Sequence, residues 1–225
     1  MLVDYQTLAS AFTRDDAGKL SADDVDRAIA AAVERYGSDR PRQKVEDVTA
    51  AGGKTLALPA GWVDGFSSLV GIEHPIGNVP PDFLPNDSYA LYQAPSSTVI
   101  QVRDGFSAGA VARCTYTIKH VLSANTDTIP LQHREVVACL AASCLCEQLA
   151  ALYSGDGDST IQADNVNHQS KAQEFSARAR SLRKRYFDEL GIDPRRAVAA
   201  GAVVDLSFRD SRGQPRLSHP LRVVR

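Results

Sequence analysis

Residues 135–153 read EVVACLAASCLCEQLAALY, and this stretch decides the fold. Val137, Leu140, Ala141, Cys144, Leu145, Leu149 and Leu152 recur at three- and four-residue steps, and the apolar stripe is broad enough to be buried on most sides. A helix of that kind belongs at the centre of a body. Downstream, a loop rich in Gly, Asp, Ser and Thr (154–160) leads to a second helix over about 164–190, with Phe175, Ala179, Leu182, Tyr186 and Leu190 on one face. Upstream, SADDVDRAIAAAVERY (21–36) offers Ser21 as N-cap and Asp23 and Asp24 at the positive dipole end. Val25, Ile29, Val33 and Tyr36 follow at helical spacing, and Gly37 and Pro41 are expected to stop the helix. A shorter helix is expected over 5–12.

Between the helical segments the period changes. From Lys44 to about Leu122, β-prone runs such as KTLAL, SSLVGIEH, STVIQV and AVARCTYTI alternate with Gly, Pro and Asn. PIGNVPPDFLP, Pro75 to Pro85, is too rich in proline for a central strand and reads as a surface loop. Trp62, with Phe66 nearby, is expected to anchor this insertion by burial. The expected class is α+β: a helical body of long antiparallel helices, a β-rich insertion and an extended C-terminal arm. The segments are 1–43, N-terminal helices of the body; 44–122, the insertion; 123–190, the long helices that complete the body; and 191–225, the arm.

The formal net charge is -2, from 25 Lys and Arg against 27 Asp and Glu, which excludes a strongly basic nucleic-acid binder and a disordered acidic tail. No charged-then-apolar leader is visible, and no run reaches the roughly 20 apolar residues of a membrane span, so a soluble, unprocessed chain without membrane contact is expected. Cys114, Cys139, Cys144 and Cys146 contain no C-x-x-C and are expected to be buried, reduced thiols of a chain that folds in the cytosol.

Several catalytic patterns come close and fail. Gly105, Ser107 and Gly109 in GFSAG fit a nucleophile elbow, but β-prone AVARCTYTI follows where a helix is needed, so a hairpin loop is expected. GGKT (52–55) resembles the end of a phosphate-binding loop, yet position 48 is Val48 and Pro59 follows soon after, which favours a turn into a strand. GDGDST has Asp156, Asp158 and Thr160 at calcium-loop spacing, with Ile161 and Asn167 where Gly and Glu belong. His74, His120, His133, His168 and His219 show no ligand spacing. No catalytic, cofactor or metal residues are expected, and no cofactor.

Charge concentrates in one helix and one tail. Over 171–185, Lys171, Arg178, Arg180, Arg183, Lys184 and Arg185 stand against Glu174 alone. Arg178, Arg180, Arg183 and Lys184 are the candidate face toward a neighbouring subunit or toward passing DNA. The tail 191–225 has seven arginines against Asp193, Asp205 and Asp210, and one β-prone run, AVVDLSF (202–208). A segment without a core of its own is expected to order by docking on another chain.

The order SADDVDRAIAAAVERYGSDRPR, LPAGWVDGFSSLVGIEHPIG, DNVNHQSKAQEFSARARSLRKRYFDELGI resembles the head-to-tail adaptor (connector) proteins of tailed bacteriophages, over about residues 5–192. The resemblance implies a non-enzymatic virion protein of the neck, made in the host cytoplasm. It implies a ring of copies of itself, commonly twelve, beneath the portal protein, offering a platform to the next neck or tail component and a passage for double-stranded DNA without sequence specificity. The family offers no active-site residues to transfer, so the interface residues are read from this chain. In the tail these are Val203, Val204, Leu206 and Phe208, for main-chain pairing, with Arg209 and Arg212 toward acidic groups of the portal. The alternatives are a small DNA-binding or packaging protein, on the basic helix, and an esterase-like enzyme, on GFSAG alone.

Overall fold

The computed structural model describes residues 1–95, 97–155 and 171–194. Within these the chain forms two compact units, one from 1–42 with 118–194 and the other from 43–117.

In the first unit, α1 (Leu2–Thr13), α2 (Ala22–Asp39) and α4 (Lys171–Leu190) all pack on α3 (Arg134–Gly155). Val136 through Ser143 are each at most 6 % exposed, so α3 is covered on every side. The abundance of Ala, Ser and Cys along it explains how three helices approach closely, since small side chains hold neighbouring backbones near. α2 starts where the sequence places it. The Ser21 hydroxyl accepts from the Asp24 N–H at 3.2 Å and the Asp24 carboxylate accepts from the Ser21 N–H at 2.9 Å, closing a capping box. The helix does not stop at Gly37. That residue is buried inside it, and the helix runs to Asp39 with Arg40 as C-cap, just before Pro41.

Two expectations are corrected here. The body is not built of long antiparallel helices: among the described residues the α+β structure has four short helices and two small three-stranded sheets. α3, the longest, has 22 residues, about 33 Å at 1.5 Å per residue. An all-round apolar helix gathers several short partners, whereas a hairpin of two long helices would leave part of it bare. The extended arm of the same expectation falls outside the described residues. The other correction concerns apolar length. The helical stretch Leu131–Ser154 is long and apolar enough by composition to cross a bilayer, but 67 % of its most apolar window is buried inside the protein, as in a core helix.

The second unit holds β1 (Arg42–Thr49), β2 (Gly53–Leu56), β3 (Leu69–Glu73), β4 (Tyr89–Ala94), β5 (Ser97–Phe106) and β6 (Val111–Ile118), except for Arg42 and Ile118, which fall in the first. One sheet has the order β1-β6-β3 and the other β2-β5-β4. Leu56, Ile100 and Val102 of the second sheet meet Ile72, Ala112 and Cys114 of the first in one core. The chain therefore changes sheet between β1 and β2, β2 and β3, β3 and β4, and β5 and β6, the first and last of these changes being short corners. GFSAG is consequently a corner between sheets and not the expected hairpin, because β5 and β6 do not pair. The two corners are bonded to each other: Ala50 N–H donates to Ala110 O at 2.8 Å and Gly109 N–H to Ala50 O at 2.9 Å.

Trp62 is only half-buried, beside Tyr116 at 5.9 Å between ring centroids. The buried anchor is Tyr116, with no exposed surface. Its hydroxyl donates to Glu46 at 2.6 Å, and the Glu46 carboxylate also accepts from Ala60 N–H at 3.1 Å and faces Lys44 at 3.2 Å.

Candidate functional site

The basic helix α4 spends much of its charge inside its own unit. Arg178 donates to the carbonyl of Thr13, at the end of α1, at 2.9 Å and faces Glu174 at 3.3 Å. Arg183 meets Glu147 of α3 at 2.7 Å, and Arg185 meets Glu135 of α3 at 2.6 Å. Arg185 also pairs with Glu189. These hydrogen bonds hold the Arg185 guanidinium well above its ordinary range. Arg180 and Lys184 are exposed. Of the four candidate residues, two are thus tied to α1 or α3 and two point outward. Sequence reasoning saw only the Glu174 pairing, because Glu135 and Glu147 reach α4 through tertiary packing.

The tail candidates Val203, Val204, Leu206, Phe208, Arg209 and Arg212 lie outside the described residues. So does GDGDST beyond Gly155, as well as His168 and His219. Among the described residues no group of three His, Cys, Asp or Glu side chains is placed to hold a metal ion. His120 and His133 gather at Tyr36, whose hydroxyl lies 2.6 Å from His133 Nδ1. His120 bridges backbone carbonyls, with Nε2 3.0 Å from Arg40 O and Nδ1 3.0 Å from Thr128 O. These rings join the start of the 118–130 segment to the end of α2. The three thiols of Cys114, Cys139 and Cys146 are pushed up to about 11 by burial, which suits packing and not nucleophilic attack.

Ser107 is exposed on the β5–β6 corner, where its carbonyl accepts from the Ala110 N–H at 3.1 Å, as in a tight turn. The glycines around it answer backbone needs. Gly105 has φ +73°, and a Cβ there would meet the carbonyl oxygen of Gly53 at 2.8 Å. Gly52 has φ +99° and packs on Ala108, where a Cβ would stand 3.2 Å away. The two near-motifs, GGKT and GFSAG, are the two halves of one corner contact.

Two surfaces that sequence reasoning missed are better candidates for contact. On the helical unit, a groove of about 420 Å³ has Ile29, Val33 and Leu122 as apolar lining and Asp26, Glu34 and Lys119 among its polar residues. On the sheet unit, β4 exposes Leu91 (44 %) and Tyr92 (47 %) on its two faces. The uncharged alternating run YALYQA carried a signal for the strand, but not for its place at a sheet edge.

No protein-family model matches the chain, and no curated protein matches it.

Proposed function

We propose that this chain is a structural head-to-tail adaptor of a tailed bacteriophage. Copies of it form a ring beneath the portal, located in the neck of the virion, and that ring presents a platform for the next tail component and lets double-stranded DNA pass. It performs no chemistry of its own. The observation that carries this reading is the order of segments quoted above, in which capped α2, the β-rich insertion and the basic last helix follow one another.

The surface chemistry supports contact with protein over a grip on nucleic acid. Two arginines of the basic face, Arg178 and Arg183, are already paired with Glu174 and Glu147, whereas a phosphate-tracking face keeps its cations free. Leu91 and Tyr92 leave uncharged side chains exposed on β4, where contact with another protein would cost no buried charge. A ring follows when one patch meets a different patch on the next copy and the rotation closes.

The test is genetic. Particles assembled without this protein are expected to package or leak DNA but to carry no tails. Normal tails on such particles would sink the proposal. Salt-sensitive DNA binding by the isolated chain, lost on reversing Arg180 and Lys184 to Glu, would instead favour a packaging protein.

A further inference from the structure

Each three-stranded sheet has two outer strands, and free strand edges are templates for pairing that proteins ordinarily blunt. Three of the four are blunted. β1 carries Arg42, Lys44, Glu46 and Asp47, and β2 is four residues long with Lys54 in it. β3 is covered by the segment 82–84, through Leu84 N–H to Ile72 O at 2.8 Å and His74 N–H to Asp82 O at 2.9 Å. β4 has neither device. Its six residues, YALYQA, are uncharged, and among the described residues its only sheet neighbour is β5.

The register shows what the open edge lacks. Tyr89 pairs with Val102 and Leu91 with Ile100, so these four share a face of the sheet. Val102 is 5 % and Ile100 0 % exposed, while Leu91 is 44 % exposed. The apolar row of the core thus runs out through Leu91 to an uncovered edge. One more strand, with apolar residues at alternate positions, would complete it.

We propose that the free edge of β4 takes residues Val203–Phe208 of a second copy of this chain as an added strand, so that neighbouring subunits exchange arms. This rests on the ring assembly proposed above. The run VVDLSF has six residues, as β4 does, and as an added strand it would place Val204, Leu206 and Phe208 on one face and Val203, Asp205 and Ser207 on the other. The apolar face would extend the row of Ile100 and Leu91, and the polar face would lie beside Ala90 and Tyr92. Eight residues separate Pro194 from Val203, a reach of up to about 30 Å when extended, which is enough to leave one subunit for the next. Main-chain bonds give such an exchange its affinity and alternate side chains its register.

The experiment mixes two full-length chains, one Ala90→Cys and the other Ser207→Cys, distinguishable by mass, and treats the assembled rings with a short bismaleimide. The expected result is a link from position 90 of one chain to position 207 of the other. Leu91→Lys, and separately Leu206→Asp in the arm, should each lower the link yield and the ring population at least tenfold, with the thermal midpoint of the free subunit unchanged. Rings that form normally in either variant, rings without the link, or a link found only within a doubly substituted chain would overturn the arm exchange and leave the ring standing. A chain that forms no ring at any concentration, nor in particles, would overturn the ring reading and the exchange with it.

Discussion

Tyr5, Asp127 and Arg134 form a polar link that no spacing in the sequence announces. Arg134 reaches Asp127 at 3.1 Å, the Tyr5 hydroxyl donates to the same carboxylate at 3.3 Å, and the Asp127 side chain is 3 % exposed. Burial first, and the charge of Asp127 second, push the Tyr5 hydroxyl far above its usual range. Arg134→Met would leave a buried carboxylate unpaired and is expected to cost about 3 kcal/mol in urea unfolding. At Glu46 the donated Tyr116 hydroxyl draws the carboxyl down from 4.5 to about 2. The fold therefore prefers the ionised acid, and the stability it contributes is complete above about pH 4.5 and lost as pH falls toward 2. Glu46→Gln should flatten this part of the pH profile of stability, measured as the urea midpoint; an unchanged slope would contradict the assignment. At the corner, Gly105→Ala is expected to cost about 2 kcal/mol or more, since it combines φ +73° with a Cβ 2.8 Å from a carbonyl oxygen. Ser107→Ala, on the exposed corner, should stay within about 0.5 kcal/mol.

At the scale of elements, the features set by local chemistry were readable. The Ser21 cap, the apolar period of α3 and the strand-rich middle each follow from neighbours in sequence. Ser21→Ala should cost about 1 kcal/mol, checked by the same unfolding assay. What depended on partners distant in sequence was not readable. The length of the helices was overestimated because an apolar period tells how many sides are covered but not by how many partners. Gly37 was read as a stop because its burial inside α2 is a tertiary fact. GFSAG gave strand, turn and strand, but pairing of β5 with β2 and β4, not with β6, sets it as a corner. Trp62 drew attention as the lone tryptophan, while the buried ring is Tyr116 on β6. Trp62→Ala is accordingly expected to cost less than the roughly 3 to 5 kcal/mol of a fully buried aromatic, and Tyr116→Ala to fall in that range.

At the scale of the whole molecule, the described residues divide between a helical unit organised by α3 and a sheet unit with its own core. The surfaces available for assembly differ in kind. The basic face of α4 is partly neutralised by Glu147 and Glu174, and the β4 edge is uncharged and apolar. The charge cluster and its Glu174 partner were visible in the sequence, and Glu147 was not, because it comes from another helix. An edge strand is likewise invisible until the order of strands is known. The central claim is that copies of this chain close into a ring between head and tail. The measurement that tests it most directly is an electron cryomicroscopy reconstruction of the assembled particle that contains the protein. The expected result is a closed ring of this chain, about twelve copies by resemblance to the adaptor family, seated between the portal and the first tail component with the DNA passage through its centre. A neck reconstructed without this chain would contradict the account.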